Sequence, residues 1–143
     1  MKTTILKDTE LGQGWVEIDA SGQILGKVAT LAASLLIGKD KVAFTRHQDC
    51  GDFVIITNAA GVRVTGKKLL DKFWHRHSTH PGGLRSVSYA DLLEKRPEKL
   101  VELAIKRMLP KNHLGRKMFT KLKVYSDDQH PHSAQQPKKV EVK

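Results

Sequence analysis

Residues 52–59 read DFVIITNA, a nearly unbroken run of apolar and β-branched side chains. A strand with one wet face alternates polar and apolar residues. A continuous run is the pattern of a strand covered on both faces, which is the habit of parallel sheets between two layers. Upstream, WVEID (15–19) sets Val16 and Ile18 against Glu17 and Asp19 and predicts a second strand. Between the two, a Ser21-Gly22 turn leads into Leu25, Val28, Ala29, Ala32, Leu35 and Leu36, a helical spacing that Gly38 is placed to stop. Strand, helix and strand in that order call for a parallel pair with a crossover helix.

The rest of the chain extends this pattern. VRVT (62–65) reads as a short strand, and residues 66–87 read as a long basic loop ordered by a partner, broken at Pro81-Gly82-Gly83. Ser88 is a natural N-cap for a helix through SVSYADLLEKR, and Pro97 suits the first turn of the next helix. That helix carries Val101, Ala104, Ile105 and Met108 on one stripe before Pro110 closes it. HLGRKMFTKL predicts a short helix and KLKVY a last strand. The expected architecture is one three-layer α/β domain over 14–127, with a mainly parallel sheet flanked by helices. Residues 1–13 form an N-terminal arm and residues 128–143 an extended C-terminal tail without apolar period. The expected core is Val16, Ile18, Val28, Leu35, Val54, Ile56, Val101, Ile105 and Met108.

Charge is divided unevenly along this frame. Residues 1–60 hold six Lys or Arg against seven Asp or Glu, whereas residues 61–143 hold nineteen against eight, within a net charge of +10. From residue 103 to residue 126 there is no acid at all, and Lys106, Arg107, Lys111, Arg116, Lys117, Lys121 and Lys123 alternate with Ile105, Met108, Leu109, Leu114, Met118, Phe119, Leu122 and Val124. Such interleaving describes a folded surface that buries its apolar residues and shows its cations to a polyanion, with nucleic acid ahead of an anionic membrane. The apolar runs are too short to span a bilayer. Cys50 is the only cysteine, so no intrachain disulfide forms, and a reducing compartment fits. The N-terminus lacks the pattern of a secretory signal, so the expected location is cytoplasmic.

Motifs for chemistry are weak. Gly61-Val-Arg-Val-Thr-Gly66-Lys67-Lys68 comes one residue short of a phosphate-binding loop, but Lys68 stands where a hydroxyl must hold magnesium. His75, His77 and His80 cluster, and His130 and His132 pair, yet Cys50 stands alone and neither group has a partner that sequence can supply for a tetrahedral zinc site. Beside Arg76 and Arg85 those rings suit phosphate contacts or base stacking. No nucleophile–base pair or acid–base carboxylate pair stands out. The competing readings are a nucleotide-dependent phosphotransferase using Gly61–Lys68 and a basic protein–protein adaptor.

The segments GKVATLAASLLIGKDKVAFT, CGDFVIITNAAGVRVTGKKLLDK, Gly82-Gly83, IKRMLPK (105–111), LGRKMFTKLKVY and HPHSAQQP occur in this order. Together they resemble the bacterial ribosomal protein L-thirteen family of the large subunit, from about Trp15 to Pro137. The resemblance implies a single α/β domain with no enzymatic role and no cofactor. It implies binding to large-subunit rRNA in the ribosome, neighbouring large-subunit proteins as further partners, and a part early in subunit assembly. A small-molecule substrate, a membrane and a homo-oligomer are not expected. The family's glycine-basic corner matches Gly38, Lys39 and Lys41, its strand and loop match Gly51-Asp52 and Thr65-Gly66-Lys67, and its signature matches Met108–Lys111 and Leu114–Arg116. HRHSTH (75–80) departs from the family's Tyr-His-Thr-Gly-like loop. The RNA-binding residues expected on charge and resemblance together are Lys39, Lys41, Lys67, Lys68, Lys72, His75, Arg76, His77 and Arg85, then Lys106, Arg107, Lys111, His113, Arg116, Lys117, Lys121, Lys123, His130 and His132.

Overall fold

A computed structural model describes Lys7 and residues 11–142. Most of the expected N-terminal arm, 1–6 and 8–10, lies outside the described residues. The DFVIIT run forms β2 (Phe53–Thr57), parallel to β1 (Trp15–Asp19), with Val16 opposite Val54 and Ile18 opposite Ile56. Between them runs α1 (Leu25–Ile37), which Gly38 terminates in the left-handed conformation at φ 81°. Glycine meets that need without the steric cost a Cβ would bring. β5 (Leu122–Val124) adds to β2, also parallel, and β6 (Lys138–Lys139) adds to the other side of β1. The sheet order is β5-β2-β1-β6.

The handedness of the connections decides what covers each face. Passing from β1 to β2 and from β2 to β5 steps in one direction across the sheet. Right-handed crossovers therefore put their helices on the same face. There Ile18, Val54 and Ile56 meet Val28, Ala29, Ala32 and Leu36 of α1, Val101 and Ile105 of α4 (Pro97–Met108), and Met118 of α5 (His113–Thr120). The return from β5 to β6 steps backward past β2 and β1, so it crosses the opposite face. Trp15 stacks on Phe53 there with ring centroids 4.5 Å apart, and the His132 ring lies 5.0 Å from Trp15. Ile55, on the same side of β2 as Phe53, is fully buried.

Five expectations need correction. The segment 66–87 is not a long loop: it forms α2 (Lys68–Asp71) and a hairpin of β3 (Phe73–His77) with β4 (Leu84–Ser88). Trp74 opposite Val87 packs with Leu69, with Tyr89 and Leu92 of α3 (Tyr89–Lys95) and with Leu100 in a second small core, which anchors one side of an otherwise exposed hairpin. VRVT makes no strand, only an isolated bridge between Ile24 and Arg63. The C-terminal segment does not stay extended and apart. It makes a 3-10 turn at Ser133–Gln135, pairs Lys138 with Val16, and Val140 N–H donates to the Glu17 carbonyl at 2.9 Å. Backbone pairing needs no apolar period, so this element was invisible to pattern reading. Met108, expected in the core, is 45% exposed, and Leu109 is buried in its place. The helix ends at Met108, and the extended backbone of Leu109 turns that side chain inward. Leu35 is only partly buried, while Leu36 is fully buried.

Candidate nucleic-acid interface

The acid-free stretch builds the end of α4, a tight loop and α5. Pro110 ends the first helix, and Asn112 begins the second, its side-chain oxygen accepting the Gly115 N–H at 2.8 Å. Such a cap satisfies an otherwise orphaned donor. Gly115 is required by close approach, since a Cβ there would lie 1.8 Å from the Pro110 carbonyl oxygen. This packing sets Lys106, Arg107, Lys111, His113, Arg116 and Lys117 on the exposed surface. Lys106 Nζ lies 5.6 Å from the Phe119 ring centroid, and Arg116 Nη2 is 2.8 Å from His113 Nδ1. A 360 Å³ hollow between the helices is lined by Lys106, Lys111, Arg116 and apolar or amide neighbours, with no carboxylate.

The hairpin carries the second basic group. Its register sets Arg76 directly across from Arg85. Like charges in that relation destabilise an antiparallel pair, and an anion between them removes the penalty. Both are exposed, as are His75 and His77. His75 Nδ1 is 2.8 Å from Ser86 Oγ. At the foot of the hairpin, Lys67, Lys68 and Lys72 are exposed around α2, and Lys72 Nζ sits 5.2 Å from the Tyr89 ring centroid. The two basic groups meet here: Lys68 and Lys72 share a cleft with Arg107 of α4 and with Arg63. Arg63 was missed in the sequence because VRVT was read for its strand pattern and for a phosphate loop, not for its cation.

Four expected contact residues are placed otherwise. Lys121 is 5% exposed, with its Nζ 2.5 Å from Asp49 Oδ1 and donating to the Gly51 carbonyl at 2.8 Å. Lys41 reaches Asp52 at 2.5 Å and the Gly12 carbonyl at 2.7 Å, so it clips the start of β1 to the start of β2. His130 and His132 lie half-buried on the sheet face crossed by the return segment. His132 Nε2 is 2.9 Å from Tyr125 Oη, and His130 Nε2 is 3.7 Å from Glu17 Oε2. Burial, with the His130 and Lys123 charges nearby, holds the His132 pKa below the ordinary imidazole value. Lys123 and Lys39 stay exposed but lie apart from the α4–α5 loop, on β5 and just past α1.

The segment Gly61–Lys68 does not adopt a phosphate-loop form. Val62 is buried, Gly66 makes a turn at φ 65°, and the helix that follows has four residues. A true loop of that kind opens a full helix whose N-terminus faces the phosphates. Cys50 is buried, its Sγ 3.6 Å from the Ala43 carbonyl. Among the described residues, no group of three or more His, Cys, Asp or Glu is placed to hold a metal ion. No helix among them is long and apolar enough to cross a membrane.

A family model described as Ribosomal protein L13 matches residues 13–131. The large ribosomal subunit protein uL13 of Moorella thermoacetica is 56% identical over 143 residues, covering 100% of this chain and 99% of that one. The protein of the same name from Thermotoga maritima is 51% identical over 141 residues, covering 99% and 95%. That of Legionella pneumophila strain Paris is 50% identical over 142 residues, covering 99% of each.

Proposed function

The chain belongs to the ribosomal protein L13 family, and from that membership we propose a structural, non-catalytic role in the large ribosomal subunit, in the cytoplasm. In this reading the protein binds large-subunit rRNA through its basic face, beside neighbouring large-subunit proteins. One observation supports the choice of face. In the acid-free stretch Ile105, Leu109, Met118 and Leu122 are buried, while six of its seven cations are exposed. Cations on that surface neutralise phosphates and release counterions, and a folded RNA is recognised by backbone and shape.

The Arg76–Arg85 pair extends the same face along the hairpin. The binding unit of this proposal runs from residue 14 through 127, and β6 completes it by pairing with β1 at the sheet edge. Entry early in subunit assembly is the finer part of the proposal, since a domain with its own core can fold before the RNA around it is complete.

Replacing Arg107, Lys111 and Arg116 together by Gln tests the face. All three are exposed, so the variant is expected to fold, with a wild-type thermal melt, and to be depleted from the large-subunit fraction in sedimentation. Wild-type occupancy of that fraction would refute the placement. Pulse labelling tests the timing: the chain is expected in precursor particles that sediment ahead of completion. Its appearance only in mature subunits would reject early entry.

A further inference from the structure

The cleft where the two basic groups meet combines an apolar lining with four cations drawn from separate parts of the chain. Its floor and walls are apolar: Ile24, Leu25, Tyr89, Ala104 and Met108. Ile24 and Met108 are both among the exposed large hydrophobic residues, at 36% and 45%. Around them stand Arg63, Lys68, Lys72 and Arg107, and no carboxylate lines the cleft. Its walls are held. Leu25 N–H donates to the Arg63 carbonyl at 2.9 Å, Arg63 N–H to the Gln23 carbonyl at 2.8 Å, and Tyr89 N–H to the Lys72 carbonyl at 3.0 Å. The volume is about 250 Å³. That is just below the usual range of small-ligand pockets, about 300–1,000 Å³. One heterocycle fits, and its sugar and phosphates are left at the rim.

The geometry points to a receptor for a single unstacked nucleobase of the bound RNA. The inference rests on the RNA-binding role proposed above and names what that role does at this cleft. A base drawn out of a folded RNA presents a flat, mostly apolar face to bury, while the phosphates on its two sides remain charged. Ile24, Ala104 and Met108 supply the burial, and the four cations receive the flanking phosphates. An apolar side chain from a neighbouring protein would also fit the floor, but its backbone would gain nothing from four uncompensated cations.

The test uses large-subunit particles from cells whose only copy of this protein is wild type, Met108→Glu or Met108→Leu. Glu, Leu and Met are all good helix formers and the site is exposed, so both variants fold. Particles are irradiated with ultraviolet light, digested, and searched by mass spectrometry for nucleotides attached to peptides. The wild type and Met108→Leu are expected to give a single nucleotide on the peptide holding Ile24–Gly26, Tyr89 or Ala104–Met108. In Met108→Glu particles of equal protein occupancy that adduct falls by about tenfold, the factor carried by 1.4 kcal/mol of repulsion. Adducts on α5 and hairpin peptides with none on the cleft would overturn the base receptor and leave RNA binding standing. Chemical crosslinking of cleft peptides to another protein, with no nucleotide adduct, would also overturn it, in favour of a protein occupant. Absence of the wild-type chain from the particles would bring down the RNA reading as well.

Discussion

Lys121→Met separates the two roles a cation can have in this fold. Lys121 and Asp49 are 5% and 7% exposed, with Nζ 2.5 Å from Oδ1 and a further bond from Nζ to the Gly51 carbonyl at 2.8 Å. Removing the ammonium leaves the Asp49 carboxylate buried without its partner. Breaking such a pair from one side costs about 3–5 kcal/mol. With a slope of roughly 2 kcal/mol per molar urea, the unfolding midpoint should fall by about 1.5–2.5 M. Removing both charges is milder, because no uncompensated ion remains. The double variant Asp49→Asn with Lys121→Met should recover at least half of the loss, about 2 kcal/mol. Arg116→Met, at an exposed site on the same stretch, should shift the midpoint within the error of about 0.5 kcal/mol. The assay is equilibrium urea unfolding of the isolated protein followed by far-UV circular dichroism. A Lys121→Met protein that melts like wild type yet is lost from large-subunit particles would refute the argument and return Lys121 to the RNA-facing set.

Arg76→Gln and Arg85→Gln should each lower the slope of log affinity against log salt by about one for large-subunit rRNA, as measured by filter binding. Each should also raise hairpin stability by a few tenths, about 0.2–0.5 kcal/mol, because two guanidinium groups no longer face each other. Equal salt slopes would exclude phosphate contact at the hairpin. Gly115→Ala should destabilise by about 1–3 kcal/mol, since the added methyl meets the Pro110 carbonyl. Gly26→Ala, open within 4 Å, should be neutral or stabilising by up to about 1 kcal/mol. Thermal melts of the two compare them directly, and equal losses would contradict the packing described.

The His132 pKa lies below its unfolded value, so its protonation favours the unfolded chain. The contribution is complete above the ordinary imidazole range and declines as pH falls through it, with stability rising as pH rises. Urea midpoints of wild type and His132→Gln should therefore diverge at neutral pH and converge in acid, and parallel curves would count against burial of this ring.

The elements with strong local patterns are legible in the sequence. FVIIT became a central parallel strand, the 3.6-residue period of 25–37 became α1, and the caps at Ser88, Pro97 and Gly38 held. Their signals are local, because the apolar period and the capping residue lie within the element they form. The stretch without acids, threaded with apolar residues, packs one set and exposes the other, but which cation faces water depends on distant partners. Lys121 is buried because Asp49 stands 72 residues away in sequence and beside it in space. The hairpin at 73–88 depends on Trp74 and Val87 finding the small core around Leu92 and Leu100. His130 and His132 were expected among the RNA contacts on charge and resemblance together. The handedness of the β5-to-β6 return lays them across the sheet, against Glu17 and Trp15. Sequence by itself determined the strongly patterned elements β1, α1, β2, α4, α5 and β5, their order and the existence of a basic face, since periodicity and composition carry those directly. Only the tertiary structure decided which cations belong to that face and joined Arg63, Lys68, Lys72 and Arg107 around one apolar cleft, because long-range packing sets those neighbours and no local pattern records it.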